Sequence, residues 1–321
     1  MPRIVVTGKI PEAALALLRR AGDVWAWSDD RTIPDAERDD QLADADAAVT
    51  LLTDRVDEAF LHAAPRLRVV ANVAVGYDNV DVAACTARGV TVTNTPGVLT
   101  DATADLAMAL VLMSTRRLGE GERLIRSGRP WQWGMFMMLG RSIGGKRLGI
   151  VGMGEIGRAV ARRAAAFGME IAYHNRTQLG AEVERELGAR YVPLDELLAT
   201  SDVVSLHCPH TSETHHLIDA VALERMSSHA VLINTARGPV VDEIALARVL
   251  ADGTIAAAGL DVYEDEPRVH PELLELENVV LIPHLGSATV ETRDAMAVLA
   301  ARNVVEVLAG RPPVTPIRSM R

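Results

Sequence analysis

The stretch Leu148-Gly149-Ile150-Val151-Gly152-Met153-Gly154-Glu155-Ile156-Gly157 decides the fold. Gly152, Gly154 and Gly157 are spaced as G-x-G-x-x-G, a weak signal alone because glycine-rich turns are common. Here the pattern follows an apolar strand predicted at 147–151. It opens an Ala/Arg-rich helix predicted at 155–167, which ends at Gly168 before another strand begins. That strand–turn–helix context is the one in which the motif holds a dinucleotide. Gly152 allows the tight turn, Gly154 lets the backbone approach a pyrophosphate, and Gly157 lets helix and strand pack closely. Amide donors and the positive dipole end at the helix N-terminus suit phosphates. The competing reading is a tight βα turn with no ligand.

Outward from this motif the chain alternates strand and helix. Strands are predicted at 3–7, 47–52, 67–72 and 90–94, with helices at 11–21, 57–63 and 80–88. A second series has strands at 147–151, 170–174, 203–206, 231–234, 257–261 and 279–282. Alternation of this kind predicts α/β architecture with doubly wound parallel sheets. Four strands of the second series lead into Asn175, His207, Thr235 and Asp261, and ligands of open parallel sheets lie beyond the carboxyl ends of the strands. A long helix is predicted at 101–117, with Thr100 or Asp101 as N-cap, and another at 290–308 before a Pro-containing tail.

The run His174-Asn175-Arg176-Thr177 stands where NAD sites place an Asp or Glu for the ribose 2′-hydroxyl. A carboxylate would repel a 2′-phosphate, whereas an arginine pairs with it bidentately. Arg176 therefore predicts NADP(H) as the preferred cofactor, with NAD(H) the alternative; the competing reading is a solvated surface arginine.

Bulk properties exclude other classes. The 321 residues carry a formal charge of −10 and no long Lys/Arg run, which argues against nucleic acid and anionic lipid. Hydrophobic residues make up 49% but aromatics only 3%, so the core must be Ala, Val, Leu and Ile. The N-terminus reads at once as a strand, and no apolar run approaches the roughly 20 residues that span a bilayer. Two distant cysteines, Cys85 and Cys208, form no disulfide framework and fit a reducing cytoplasm.

Residues 119–145 break the alternation with Gly, Arg, Trp and Met, and read as an excursion without a core element. Trp131, Trp133, Met135, Phe136, Met137 and Met138 gather large apolar side chains there. They predict either local packing under a loop or a subunit contact, and enrichment of Trp and Met at interfaces favours the contact.

Three late segments each follow a predicted strand: Asn234-Thr235-Ala236-Arg237-Gly238, Asp261-Val262-Tyr263-Glu264-Asp265-Glu266-Pro267, and Pro283-His284-Leu285-Gly286-Ser287-Ala288-Thr289. With 72–81 (NVAVGYDNVD), 93–97 (TNTPG), 206–209 (LHCP) and the glycine motif, they run in order over essentially the whole chain. In this the chain resembles the D-isomer-specific 2-hydroxyacid dehydrogenases, and among them the glyoxylate/hydroxypyruvate reductases. Met135 departs from the pattern, where a proline is expected.

The resemblance implies reduction of a small 2-keto acid to the D-2-hydroxy acid. Arg237, Glu266 and His284 take the catalytic positions. His284 would supply the proton to the carbonyl oxygen, since imidazole titrates near neutrality. Glu266 would bond the other ring nitrogen and favour its charged form. Arg237 would bind the substrate carboxylate and polarise the carbonyl. The amides of Val75 and Gly76 would also hold the carboxylate, with Leu52 lining the pocket. The implied cofactor contacts are Gly152, Gly154, Glu155, Ile156, Gly157, Asn175, Arg176, Thr177, Cys208, Pro209, Thr214, Thr235, Ala236, Asp261, Gly286 and Thr103. For Asp261 the competing role is a helix cap. The crowd of His207, Cys208, His210, His215 and His216 lacks the spacing of a zinc motif, so no metal is expected.

The resemblance further implies a Rossmann nucleotide domain, 99–284, inserted into a discontinuous flavodoxin-like substrate domain, 1–98 plus 285–321, with a cleft that closes on substrate. It also implies a homodimer formed by helix 101–117 and the excursion. A nucleotide-sensing corepressor-like or partner-binding protein on the same fold is the alternative, because fold alone does not decide function. Among enzymes, phosphoglycerate, formate and phosphite dehydrogenases are the runners-up.

Overall fold

The most apolar runs of the sequence become central strands. In the computed structural model, which describes residues 1–317, the strands are β1 (Arg3–Val6), β2 (Asp23–Ala26), β3 (Ala47–Thr50), β4 (Val69–Asn72), β5 (Thr91–Thr93), β6 (Arg147–Val151), β7 (Glu170–His174), β8 (Ala189–Tyr191), β9 (Val203–Leu206), β10 (Val231–Asn234), β11 (Ala257–Leu260) and β12 (Val279–Leu281). They form two all-parallel sheets, ordered β2-β1-β3-β4-β5 and β12-β11-β10-β9-β6-β7-β8. The first order is that of flavodoxin-like sheets; the second is the Rossmann order carried one strand further.

Each sheet is buried on both faces by helices, which is why β3, β4, β9, β10 and β11 are buried throughout. On one face of the first sheet, Val5, Phe60, Leu61 and Val70 pack together; on the other, Ile4, Leu18, Val49 and Val304 do. In the second sheet, Leu206, Leu232 and Leu246 share one face, and Leu110, Ile150 and Val160 the other.

The chain divides into two compact units, one of Met1–Leu99 with the residues from Ser287 on, the other Thr100–Gly286. The second break lies two residues beyond the expected 284/285, because the Leu285 and Gly286 amides bond the Asp261 carboxylate of the second unit. The expected terminal segment ends in residues 318–321, which lie outside the described residues.

Three sequence expectations are corrected. The edge strands β2 and β8 have no counterpart in the predicted elements, because short, half-exposed edges show neither an apolar run nor clean alternation. Neither Thr100 nor Asp101 is an N-cap: the helix already begins at Thr100 and runs to Thr115, and Asp101 instead pairs with Arg163 at 2.9 Å. The excursion contains a helix, Leu118–Arg126, with no buried residue. Its two glycines hide it from propensity. From 127 to 146 no helix or strand follows. Trp131, Trp133, Met135 and Phe136 are exposed there, and only Met137 and Met138 are half-buried, so packing beneath a loop is not their arrangement.

Candidate active site

The register of the second sheet lines up its carboxyl ends. Val151 pairs with His174 and Leu206, Leu206 with Asn234, Asn234 with Leu260, and Leu260 with Leu281. The next residues, Asn175, Gly152, His207, Thr235, Asp261 and Ile282, therefore form one row along the edge of the sheet.

The glycine turn sits in that row. Gly152 has φ +97°, and a Cβ there would lie 2.5 Å from the Cys208 amide nitrogen, so the turn requires glycine on both counts. A Cβ at Gly157 would meet the Gly152 carbonyl oxygen at 2.3 Å, so helix Glu155–Ala166 packs onto the turn only because that position is bare. Gly154 is the N-cap and faces open space. Asn175 Oδ1 accepts the Met153 N–H at 2.6 Å, tying the turn to the end of β7. Arg176 and Thr177 follow in an exposed bend.

These residues fit a dinucleotide. Gly154 leaves the helix N-terminus unobstructed, and two neighbouring buried polar atoms, Thr235 Oγ1 and His207 Nδ1, have no hydrogen-bond partner. Buried polar atoms are rarely left unpaired, so orphans beside this row suit a ligand's polar groups. Cys208 is half-buried, its thiol pushed up to about 11 by burial. Thr214 Oγ1 donates to the Pro209 carbonyl at 2.7 Å and accepts the Thr211 N–H at 2.8 Å, so this loop is held by its own side chains. Glu155 is exposed in the first helical turn, and Ile156 packs against the core beneath it.

The catalytic candidates gather at the β10, β11 and β12 ends of the row. His284 has φ +50°, and its N–H donates to the Asp261 carbonyl at 2.9 Å. Its Nδ1 lies 2.8 Å from Glu266 Oε2. Glu266 Oε1 accepts the Tyr263 N–H at 3.0 Å, so both carboxylate oxygens are engaged. Burial would raise this carboxyl. The His284 hydrogen bond and charge, the Tyr263 N–H and the Arg237 guanidinium outweigh it and hold Glu266 below the ordinary glutamate range. Arg237 is placed by Asn234, whose Oδ1 accepts the Ala236 N–H at 3.0 Å and whose Nδ2 donates to the Arg237 carbonyl at 2.9 Å.

Asp261 is buried, and neither cap nor free carboxylate. Its Oδ1 accepts the Leu285 N–H at 2.5 Å and its Oδ2 the Gly286 N–H at 2.8 Å, so it anchors the His284 loop. Burial raises its carboxyl against the lowering by those amides. Thr103 Oγ1 donates to the Gly286 carbonyl at 3.0 Å, fixing the same loop from the helix below. In the other unit, Val75 and Gly76 lie in the loop after β4, and Leu52 in the turn after β3.

Sequence reasoning missed several supporting residues. A Cβ on Gly238 would fall 1.8 Å from the Tyr263 carbonyl carbon, so this glycine lets the Arg237 turn press against the segment that carries Glu266. Its place directly after Arg237 was the available signal. Glu264 bonds His216 through Oε1, and its N–H donates to Glu243 Oε1 at 2.7 Å. Nothing in one dimension marks these distant partners. Of the His and Cys crowd at 207–216, His216 thus serves Glu264, His215 stacks on His216 with centroids 4.1 Å apart, and His207 Nε2 bonds Ser205 at 2.8 Å. Among the described residues no three His, Cys, Asp or Glu side chains converge as a metal site.

The model of the D-isomer specific 2-hydroxyacid dehydrogenase NAD binding domain matches residues 108–286. A glyoxylate reductase of Thermococcus onnurineus is 49% identical over 318 residues, covering 98% of this chain and 95% of that protein. A protein of Thermus thermophilus superposes with TM-score 0.92 at 42% identity, covering 98% and 100% of the two chains. An NADPH-dependent glyoxylate/hydroxypyruvate reductase of Sinorhizobium meliloti, solved with NADP and malonate, superposes with TM-score 0.83 at 36% identity, covering 98% and 96%. The glycine turn, the His284–Glu266 pair and likeness over nearly the whole length lead to one conclusion: the chain is an oxidoreductase that belongs to the D-isomer-specific 2-hydroxyacid dehydrogenase family.

Proposed function

We propose that the protein reduces a small 2-keto acid of the glyoxylate/hydroxypyruvate type to the D-2-hydroxy acid, using NADPH in preference to NADH. The observation that carries this reading is the His284–Glu266 pair. With Nδ1 committed to the carboxylate, the imidazole keeps Nε2 for the substrate oxygen.

A reduced nicotinamide, when bound, supplies a hydride to the carbonyl carbon. His284 Nε2–H gives its proton to the carbonyl oxygen, so that carbon and oxygen each gain one hydrogen and the imidazole is left neutral. Glu266 holds the ring in the productive orientation. Arg237 neutralises the substrate carboxylate and draws electron density from the carbonyl. The resemblance gives the Val75 and Gly76 amides to that same carboxylate, and Leu52 to the pocket wall. The open backbone at Gly154 and the amides of the helix N-terminus that follows take the pyrophosphate, with Gly152 and Gly157 shaping the turn, and Arg176 takes the 2′-phosphate. NADP bound to the Sinorhizobium relative supports the cofactor choice.

The exposed Trp131, Trp133, Met135 and Phe136 support a homodimer, since large apolar side chains gathered on the surface of a monomer face water at a cost. Two unpaired cysteines support a reducing cytoplasm, and among the described residues no helix is long and apolar enough to cross a membrane.

The test is oxidation of NADPH and NADH in the presence of glyoxylate, hydroxypyruvate and phenylpyruvate. Turnover of at least one acid, with higher kcat/KM for NADPH, is expected. A protein that binds NADPH yet turns over no member of a broad keto-acid panel would be a nucleotide sensor, and the enzyme reading would fall.

A further inference from the structure

The loop after β4 presents its peptide groups in an ordered way. Three consecutive carbonyls each have a donor within the protein. The Ala74 oxygen accepts the Thr95 N–H at 2.9 Å. The Val75 oxygen accepts Asn94 Nδ2 at 2.8 Å. The Gly76 oxygen accepts Asn72 Nδ2 at 3.1 Å.

In a trans peptide the C=O of one residue and the N–H of the next point in opposite directions. The single cis bond among the described residues is Glu266–Pro267, so these peptides are trans. Pulling the carbonyls of Ala74, Val75 and Gly76 onto the protein therefore turns the N–H groups of Val75, Gly76 and Tyr77 away from it. None of the three donates to an acceptor among the described residues. Unpaired consecutive amides are the donors an anion binds.

The two asparagines are themselves fixed. Asn72 is fully buried; its Oδ1 accepts the Thr50 hydroxyl at 3.2 Å, and it exchanges hydrogen bonds with the Asn79 amide at 3.1 and 3.3 Å. Asn79 in turn donates to the Asp54 carbonyl at 2.8 Å. Asn94 is held through its backbone, whose carbonyl accepts the Thr315 hydroxyl at 2.6 Å, so its side-chain bond to Val75 is a separate feature.

We propose that Asn94 and Asn72 are positioning residues for substrate capture: by holding the Val75 carbonyl inward Asn94 aims the Gly76 N–H, one of the two amides already given to the keto acid's carboxylate, and by holding the Gly76 carbonyl Asn72 adds the Tyr77 N–H beside it. The inference rests on the reading that this loop takes the carboxylate, and it explains why amide-bearing side chains stand at both positions. A carbonyl can be gripped only by a donor, and an uncharged donor leaves the anion no fixed cation to prefer deeper in the protein.

Asn94→Ala is the decisive variant, because it removes one side-chain bond and keeps the backbone bonds to Thr315. KM for glyoxylate is expected to rise about tenfold, the loss of roughly one charge-assisted hydrogen bond, with kcat nearly unchanged. Inhibition by oxalate, which has carboxylates but no reducible carbonyl, is expected to weaken by the same factor. The NADPH dissociation constant stays put. A merely structural role would lower the active fraction, and so kcat, while leaving KM alone. Asn72→Ala is expected to act in the same direction; if it does not fold, Asn94→Ala decides alone. Wild-type KM and oxalate inhibition in Asn94→Ala overturn the inference and leave the proposed reaction standing. Absence of keto-acid reduction by the wild-type protein overturns the reaction and the inference together.

Discussion

Glu266 grips His284 and its own backbone segment at once: one oxygen lies 2.8 Å from His284 Nδ1 while the other accepts the Tyr263 N–H at 3.0 Å. The carboxylate thus transmits the rigid end of β11 to the imidazole. Glu266→Gln is isosteric and removes the charge. It is expected to lower kcat by about 10- to 100-fold with NADPH affinity intact, since a general acid contributes roughly 10²–10⁴. Steady-state kinetics beside fluorescence titration of NADPH checks this; an unchanged kcat would remove Glu266 from its role.

The same pair fixes a pH dependence. Glu266 is held below the ordinary glutamate range, so its folded pKa is lower than its unfolded one. Its contribution to stability is therefore present above the unfolded value, about 4.3, and is lost as pH falls through the folded value. Thermal melts of wild type and Glu266→Gln should differ at about pH 5 and above and converge as pH falls below about 4.3. Convergence already near pH 6 would contradict the shift.

His284→Ala is expected to cost about 10²–10⁴ in kcat while the NADPH dissociation constant changes little. Turnover at the wild-type rate would take the proton donor away from this residue.

Arg176 stands in an exposed bend directly after Asn175, at the end of β7. Arg176→Ala should lower kcat/KM with NADPH by about 10- to 100-fold and leave NADH use nearly untouched, as loss of one bidentate phosphate contact predicts. Equal losses with both cofactors would show that the arginine does not read the phosphate.

Gly238 touches the Tyr263–Glu264 backbone with no room for a methyl group. Gly238→Ala must separate the Arg237 turn from the segment that carries Glu266. It is expected to destabilise the fold by about 1–3 kcal/mol and to lower kcat/KM by more than the lost folded fraction. Chemical denaturation and kinetics on the folded fraction check the two effects separately.

Much of this was legible in one dimension. Strands 170–174, 203–206 and 231–234 and the helix 290–308 match the structure to the residue, because strands buried on both faces and long helices leave continuous apolar patterns. The edge strands β2 and β8 were not legible, since half-exposed three- or four-residue segments carry too few side chains to show a period. The Leu118–Arg126 helix was hidden for a related reason: it buries nothing, and Gly119 and Gly121 interrupt its propensity.

By itself the sequence determined the glycine turn and the parallel α/β alternation, because each is written in adjacent residues whose local chemistry allows few alternatives, and the family resemblance singled out Arg237, Glu266 and His284 as catalytic candidates. Only the tertiary structure decided that Asp261 anchors the His284 loop, that Gly238 lets the Arg237 turn press against the Tyr263–Glu264 backbone, and that Asn72 and Asn94 hold the Gly76 and Val75 carbonyls. Those relations join groups from different strand ends, and a hydrogen bond or a missing methyl group has meaning only once the sheet register has set the two partners side by side.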